Sequence, residues 1–354
     1  MAIVLAVDAM GGDHGVNVTI PASINFLKDN LNFNLILVGD RDTIYKHIGN
    51  NLSGYSERIE VIHTTQIVSM DEPPQNAMRN KKDSSMRVAI NLIKEGRAQA
   101  IVSAGNTGAL MATARYVLRT MEGIDRPAIA KILPTIKDDV CILDLGANLE
   151  SSPEHLLQFG IMGAQLMRAV TGKPAPSVGI LNIGTEEIKG HEHIKKAYEL
   201  LKNSGLNFYG NVEGNDINKG TVDVVVCDGF TGNVALKTLE GAAKMIGFFI
   251  KEEFNRSILT KLIGAISYPV LSRIKSRADH RKYNGAVLLG LNGLVIKSHG
   301  GADEFGFYHA LLQAYHEVNF GVITLLHTYL NKHKQLLDKE AKTEFLEFKD
   351  LNML

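Results

Sequence analysis

One lysine stands in a position where it could do chemistry. Lys189 follows the apolar run Val178-Gly179-Ile180-Leu181 and sits inside the loop Gly184-Thr185-Glu186-Glu187-Ile188-Lys189-Gly190. An ammonium there can hold a phosphate or offset negative charge growing on a carbonyl oxygen. Asn233 ends a second such loop, Asp228-Gly229-Phe230-Thr231-Gly232-Asn233, which follows Val224-Val225-Val226-Cys227. Its amide can donate to an oxyanion, Thr231 to a phosphate oxygen, and Gly232 opens the backbone to close approach. A third loop, Ser103-Ala104-Gly105-Asn106-Thr107-Gly108, follows Ala100-Ile101-Val102. Ser103 and Thr107 bring hydroxyls, Asn106 an amide, and Gly105 and Gly108 unhindered N–H groups at a helix start. That is a cradle for a phosphate-sized dianion. Each feature has an ordinary alternative: a solvated lysine, a threonine that only caps a helix, a polar turn.

Two further runs end the same way, Ile3 to Val7 before Asp8-Ala9-Met10-Gly11-Gly12-Asp13, and Cys141-Ile142-Leu143 before Asp144-Leu145-Gly146-Ala147-Asn148. In an open parallel sheet all five loops emerge at the carboxyl edge, where ligands bind. The repetition points to an enzyme that handles anions. It is neither a Walker P-loop nor a G-x-G-x-x-G fingerprint. Asp8 and Asp13 could pair on a metal, but they would repel a phosphate, so Asp13 reads as shaping the loop. His191 and His193 stand two apart, which on a helix points them different ways and suits a surface pair. No metal and no cofactor are expected.

The elements that must position these loops alternate along the chain. Helical patterns cover 17–31, 84–95 and 155–170, with short strands at 35–38 and 59–62, implying βαβ units and a largely parallel Rossmann-like sheet. The 354 residues carry 38 Lys plus Arg and 38 Asp plus Glu, so no global field recruits nucleic acid. Cys141 and Cys227 read as small core residues rather than nucleophiles. The N-terminal run goes straight into Gly-Gly-Asp and reads as a first strand, and no stretch approaches the ~20 apolar residues of a membrane span. We expect one large α/β unit over 1–330 and a charged tail or helix over 331–354. Residues 253–282 depart from the pattern. They carry an apolar helical stripe that includes Leu262 and Ile266, and from Arg256 to Lys282 they set Arg256, Lys261, Arg273, Lys275, Arg277, Arg281 and Lys282 against Asp279. Pro269 should split or kink this helix. A basic amphipathic pair can lie on an anionic membrane or grip an acidic partner.

The chain resembles the phosphate acyltransferase family of bacterial phospholipid synthesis. The resemblance runs through Val7–His14, Lys81–Met86, 101–110, Gly123–Ala128, Asp144–Asn148, Asn182–Glu186, Asp228–Asn233, Lys237-Thr238-Leu239-Glu240-Gly241 and Ile296-Lys297-Ser298-His299-Gly300. Gly15-Val16 departs from the family's usual proline after Asp-His, and Ile188 replaces a residue often polar. The resemblance implies an isopropylmalate-dehydrogenase/phosphotransacetylase-type fold, a homodimer, and transfer of a fatty acyl group from acyl-acyl-carrier protein to orthophosphate. It further implies work at the inner face of the cell membrane, feeding a membrane glycerol-phosphate acyltransferase.

Phosphate is already a nucleophile at neutral pH and a thiolate of pKa ~8.5 leaves readily, so positioning and oxyanion stabilisation suffice without a histidine base. Ser103, Asn106, Thr107 and Thr231 are expected on phosphate, Lys189 and Asn233 on the oxyanion, and Lys81 and Lys82 near the entrance. The helix pair, with Arg256, Lys261, Leu262, Ile266, Arg273, Lys275 and Arg277, is expected to meet carrier protein or membrane. The alternatives are a phosphotransacetylase-like enzyme on acyl-coenzyme A, a nicotinamide-dependent decarboxylating dehydrogenase, and a catalytically silent membrane-surface scaffold.

Overall fold

The computed structural model describes residues 2–49 and 54–332. Their strands are β1 Ile3–Asp8, β2 Phe33–Gly39, β3 Ile59–His63, β4 Ala100–Ser103, β5 Ala128–Pro134, β6 Asp139–Leu143, β7 Ser177–Leu181, β8 Asn207–Val212, β9 Val224–Val226, β10 Ala286–Leu289 and β11 Leu294–Lys297. Most are short runs of Val, Ile, Leu and Ala buried on both faces, as strands of a covered parallel sheet must be. They join in one sheet of order β3-β2-β1-β4-β11-β10-β5-β6-β9-β7-β8.

Seven of the ten strand pairings are parallel, so the sheet is largely parallel as expected. The expectation that all five loops share one carboxyl edge is corrected. β10 lies antiparallel to both β11 and β5, and β5 antiparallel to β6, so β6, β9, β7 and β8 run opposite to β1, β2, β3, β4 and β11. The reversal is the net of three successive antiparallel pairings, β11 with β10, β10 with β5 and β5 with β6, the first of them a hairpin contributed late in the chain, after the helix pair.

A compensating offset brings the two sets of ends back to one line. Lys297 pairs with Ser103 and with Ala286, while Lys131 pairs with Ile142. Val287 faces Ala130, and extending that register by one residue sets Ala286 opposite Lys131. Thus the last residues of β4 and β11 share a row with Ile142, one residue before the end of β6. Residues facing one another across a ladder lie on the same face, so Ser103, Lys297, Ala286 and Lys131 point the same way.

Helices cover both faces. On one lie α1 Val16–Asp29, α2 Arg41–Ile48, α6 Pro153–Thr171, α7 Glu192–Lys202 and α11 Glu304–Asn319, burying Phe26, Phe159 and Phe307. On the other lie α3 Pro74–Asn80, α4 Ser85–Lys94, α5 Thr107–Leu118, α8 Gly214–Lys219 and the start of α9 Gly229–Asn255. Another helix spans 322–332; the rest of the expected tail, 333–354, lies outside the described residues.

α9 and α10 Ile258–Ala278 make the expected amphipathic pair, with different bounds. The break falls at Arg256 and Ser257, where Ser257 and Thr260 cap one another's backbone N–H (3.1 and 2.9 Å). α10 then continues through Pro269 instead of splitting there. α10 packs on α9 and leaves Ile258, Leu259, Leu262 and Ile266 between 59% and 81% exposed. That is a contiguous apolar surface of the kind that marks an interaction site.

Inside the core, α11 holds one unusual acid. Glu317 is fully buried, accepts a hydrogen bond from Gln313 Nε2 (2.7 Å), and leaves its other oxygen unpartnered. Burial pushes its carboxyl up to about 8. Between pH 4.5 and 8 the unfolded chain ionises this group while the folded chain keeps its proton, so its contribution to stability falls as pH rises. Glu317→Gln removes that slope. Melting curves at pH 5 and pH 8 should show the variant gaining on the parent at pH 8, by at most about 1.4 kcal/mol per pH unit. Equal pH dependence in both proteins would contradict the assignment.

Candidate active site

At the end of β1, Asp8 knots the first group of loops. It is buried and receives hydrogen bonds from Ser85 Oγ and Ser103 Oγ, both 2.6 Å. Burial raises its pKa, and the two serine bonds counter that only in part. Ser103 Oγ also accepts from the Gly105 N–H (3.1 Å). The Ser103 hydroxyl is thus committed within the loop rather than presented to solvent. Asn106 caps α5 through Ala109 N–H (3.0 Å) and donates to the Met70 and Glu72 carbonyls (2.8 and 3.0 Å). Thr107 and Gly108 stay exposed at the first turn of α5. The loop after β11 closes this group, with Asp13 N–H donating to the Gly300 carbonyl (2.9 Å). A Cβ on Gly12 would meet that same carbonyl oxygen at 2.9 Å, so this position, at φ +90°, needs glycine twice over.

A second carboxylate organises the loops after β6 and β9. Asp144 Oδ1 accepts from the N–H groups of Ile129 (2.9 Å), Gly146 (3.2 Å) and Ala147 (3.0 Å). Its Oδ2 accepts from Asn148 N (2.7 Å) and Nδ2 (2.9 Å). Burial nonetheless leaves the Asp144 pKa raised. Asp228 caps α9, accepting from Thr231 N (2.8 Å) and Thr231 Oγ1 (2.9 Å). Thr231 is therefore bound to the cap. Gly232 is buried, and a Cβ there would be driven into the Asp144 carbonyl oxygen. Its need for glycine is set by packing. One residue on, Asn233 lies exposed beside Gly146, whose added Cβ would sit 3.7 Å from the Asn233 Cβ.

Lys189 lies in the loop after β7, and β7 is the parallel neighbour of β9, so its loop leaves the sheet beside that of Asn233. Its backbone N–H donates to Glu186 O (3.1 Å) and its carbonyl accepts from Asn182 Nδ2 (3.1 Å). The side chain is exposed and makes no ion pair among the described residues. Lys81 lies 4.0 Å from Glu72. Cys141 and Cys227 are buried, and burial pushes both thiols up, leaving them unfit as nucleophiles. The His191 and His193 rings stack at 5.8 Å, because His191 is the N-cap and not a helical residue.

Lys237, Glu240, Lys297 and His299, quoted in the sequence without a role, gather here together with Lys131, which the sequence reading passed over. Lys297 and Lys131 lie on the register row, and Lys237 and Glu240 reach it from α9, where they form an ion pair (2.9 Å). The charges of Lys237, Lys297 and Lys131 all bear on His299. A lysine ending the buried run 294–296 was the signal that could have singled out Lys297; Lys131 had none, since β5 was not read as a strand.

On the arm, Arg256 pairs with Glu253 (3.4 Å), and Arg281 is held by Asp279 and Asp303 (both 2.7 Å). Lys261 and Arg273 stand exposed on α10, and the side chains of Lys275 and Arg277 fall outside the described residues. α9 and α10 enclose an apolar groove of ≈ 380 Å³ lined by Phe249, Ile250, Phe254 and Ile263.

Fold and site together define a three-layer α/β protein whose strand-end loops carry exposed Lys189, Asn233 and Thr107. The fold is that of the phosphotransacetylases. It is similar to one from Streptococcus pyogenes (TM-score 0.56, 15% identity, 92% of this chain and 93% of that one) and to one from Staphylococcus aureus (TM-score 0.55, 14%, 91% and 94%). Residues 3–325 match the family described as fatty acid synthesis protein, and the chain belongs to that family. Among its relatives is a phosphate acyltransferase from Chromobacterium violaceum, 62% identical over 91% of this chain and 94% of the relative. One from Legionella pneumophila is 53% identical over 93% and 96%.

Gly232→Ala should be costly, because the clash is with backbone and neither partner can swing away. We expect a loss of about 1–3 kcal/mol or more in denaturant unfolding, with activity falling in step as Asn233 is displaced. Parent-like stability and activity would show that the α9 start has room to spare.

Proposed function

We propose that the chain transfers a fatty acyl group from acyl-acyl-carrier protein to orthophosphate, releasing acyl phosphate for phospholipid synthesis. The observation that supports this reading is that Lys189 and Asn233 stand exposed on the loops after the adjacent parallel strands β7 and β9, in a chain whose two cysteines are both buried. Such a site can stabilise an oxyanion but offers no thiol of its own for a covalent intermediate. A phosphate oxygen bonds to the thioester carbonyl carbon, and the resulting oxyanion takes hydrogen bonds from Lys189 and Asn233. The C–S bond then breaks, its electron pair leaves on sulfur, and the proton of monohydrogen phosphate ends on the carrier thiol. Thr107, Gly108 and the α5 N-terminus border the phosphate, with Ser103, Gly105 and Asn106 shaping the loop and Thr231 and Gly232 shaping the opposite wall.

The arm completes the reading. Its basic residues would meet the acidic carrier, and the groove between α9 and α10 would take the acyl chain or the bilayer edge. No described helix is long and apolar enough to cross a membrane. A homodimer at the inner membrane face, passing acyl phosphate to a membrane glycerol-phosphate acyltransferase, belongs to the same proposal.

Purified protein given long-chain acyl-carrier protein and phosphate should release thiol and acyl phosphate in equal amounts. Turnover with acyl-coenzyme A alone would move the assignment to a phosphotransacetylase-like enzyme. Lys189→Ala and Asn233→Ala should each lower kcat by about 10²–10³; near-parental rates would remove them from the oxyanion site. Charge reversal at Arg273, Lys275 and Arg277 together should raise KM for the carrier substrate and leave that for phosphate alone. An unchanged carrier KM would clear the arm of carrier binding.

A further inference from the structure

We propose that Lys131, Lys237 and Lys297, with His299, form the pocket that binds the reacting orthophosphate dianion. The inference rests on the acyl-transfer reading and names the groups that supply its charge.

The geometry starts from the register row. Lys297 and Lys131 are separated on that row only by Ala286 of β10. Two strand spacings put their backbones about 10 Å apart, with both side chains on the same face. Ala286 places only a methyl group between the two lysines on that face. α9 roofs this face through Leu236 and Leu239, and brings Lys237 down beside it. Lys237 and Asn233 are four residues apart on α9, hence on one helical face. A phosphate held by Lys237 is therefore adjacent to the amide assigned to the oxyanion.

The charges within the pocket are unbalanced. Glu240 is ion-paired with Lys237 (2.9 Å). Lys131 has no carboxylate within ion-pair distance among the described residues, and neither has Lys297. Lys297 is only 8% exposed, and its ammonium donates to the carbonyls of Ala104 (3.3 Å) and Ser298. An ammonium has three donors, so one remains. Asp8 and Asp13 lie within electrostatic reach of Lys297. Asp8, however, is hydrogen-bonded by two serines and held toward its neutral form by burial. Burial pushes Lys297 down to about 8 and lowers Lys131 and His299 as well. Glu240 also bears on Lys131 and His299 and Asp13 on Lys297, but these carboxylates do not fully offset three lysines and a histidine, and a bound dianion would supply the remaining counter-charge. The pocket stays open to solvent through the exposed Lys237 and His299. Its wall is the Ala104–Asn106 turn, so the loop expected to cradle phosphate and the lysines that would hold it are contiguous.

The test measures phosphate binding without any thioester, by calorimetric titration of inorganic phosphate into the full chain and into Lys131→Met, Lys237→Met and Lys297→Met. Steady-state KM values for phosphate and for acyl-carrier protein are measured beside it. Each variant should weaken phosphate at least about tenfold in both binding and KM, with the carrier KM unchanged. Lys237→Arg should recover part of the loss. Lys237 is exposed, so its variants report even if the buried lysines prove necessary for folding. Parental phosphate affinity in a folded Lys237→Met would overturn the proposal, as would a rise confined to the carrier KM. A parent that binds phosphate through these lysines yet makes no acyl phosphate would sink the acyl-transfer reading and spare the pocket.

Discussion

The reversal of strand direction across β10, β5 and β6 is the constraint on which the rest depends. Without it the sheet would be a simple parallel array with one ligand-binding edge. With it, the two halves run in opposite senses, and their carboxyl ends would lie at opposite edges if the strands were long and level. They are neither. β4 and β11 stop at the row where Lys297 faces Ser103, and β6 stops one residue past that same row. Short strands and a longitudinal offset thus bring loops of both halves to one line. Sheet twist accumulated over the intervening strands turns them further toward each other.

Loops drawn to such a line carry many backbone N–H groups that need acceptors. Three carboxylates supply them or tie the loops together. Asp144 accepts five hydrogen bonds, Asp228 caps α9, and Asp8 gathers serines from two other segments. Their negative charge is largely spent on the protein itself, so an anion approaching the cleft meets lysines and amides. Of the two aspartates in the first loop, Asp8 is buried and tied to serines, while Asp13 joins the loop after β11 through its backbone N–H.

α9 links the parts. Its second turn presents Asn233, its third brings Lys237 to the sheet, and its far half carries α10. A helix shared in this way couples the place where an acyl group would enter to the place where it would react. The Asp228 cap and the close approach of Gly229 and Gly232 to the Asp144 loop fix the angle at which it starts.

The order of strands and helices was legible because buried parallel strands read as unbroken apolar runs ending in glycine. Lys189 and Asn233 were legible because each stands alone in such an ending. Strands β5, β8, β10 and β11 were not, since Ala128–Pro134 carries a lysine, Asn207–Val212 mixes asparagines and a glycine among its apolar residues, and β10 and β11 are only four residues each. The arm was legible as amphipathic, but its break was not, because the reciprocal cap at Ser257 outweighed the proline at 269. Residue types alone thus determined a largely parallel α/β chain with anion-handling loops and an apolar, basic arm. Which loops face one another, that Ser103 and Thr231 spend their hydroxyls on aspartates, and that two lysines distant in sequence share one row with a third reaching it from α9 were decided only by the tertiary structure. Register and strand direction depend on pairings between segments more than a hundred residues apart, and no local pattern encodes them.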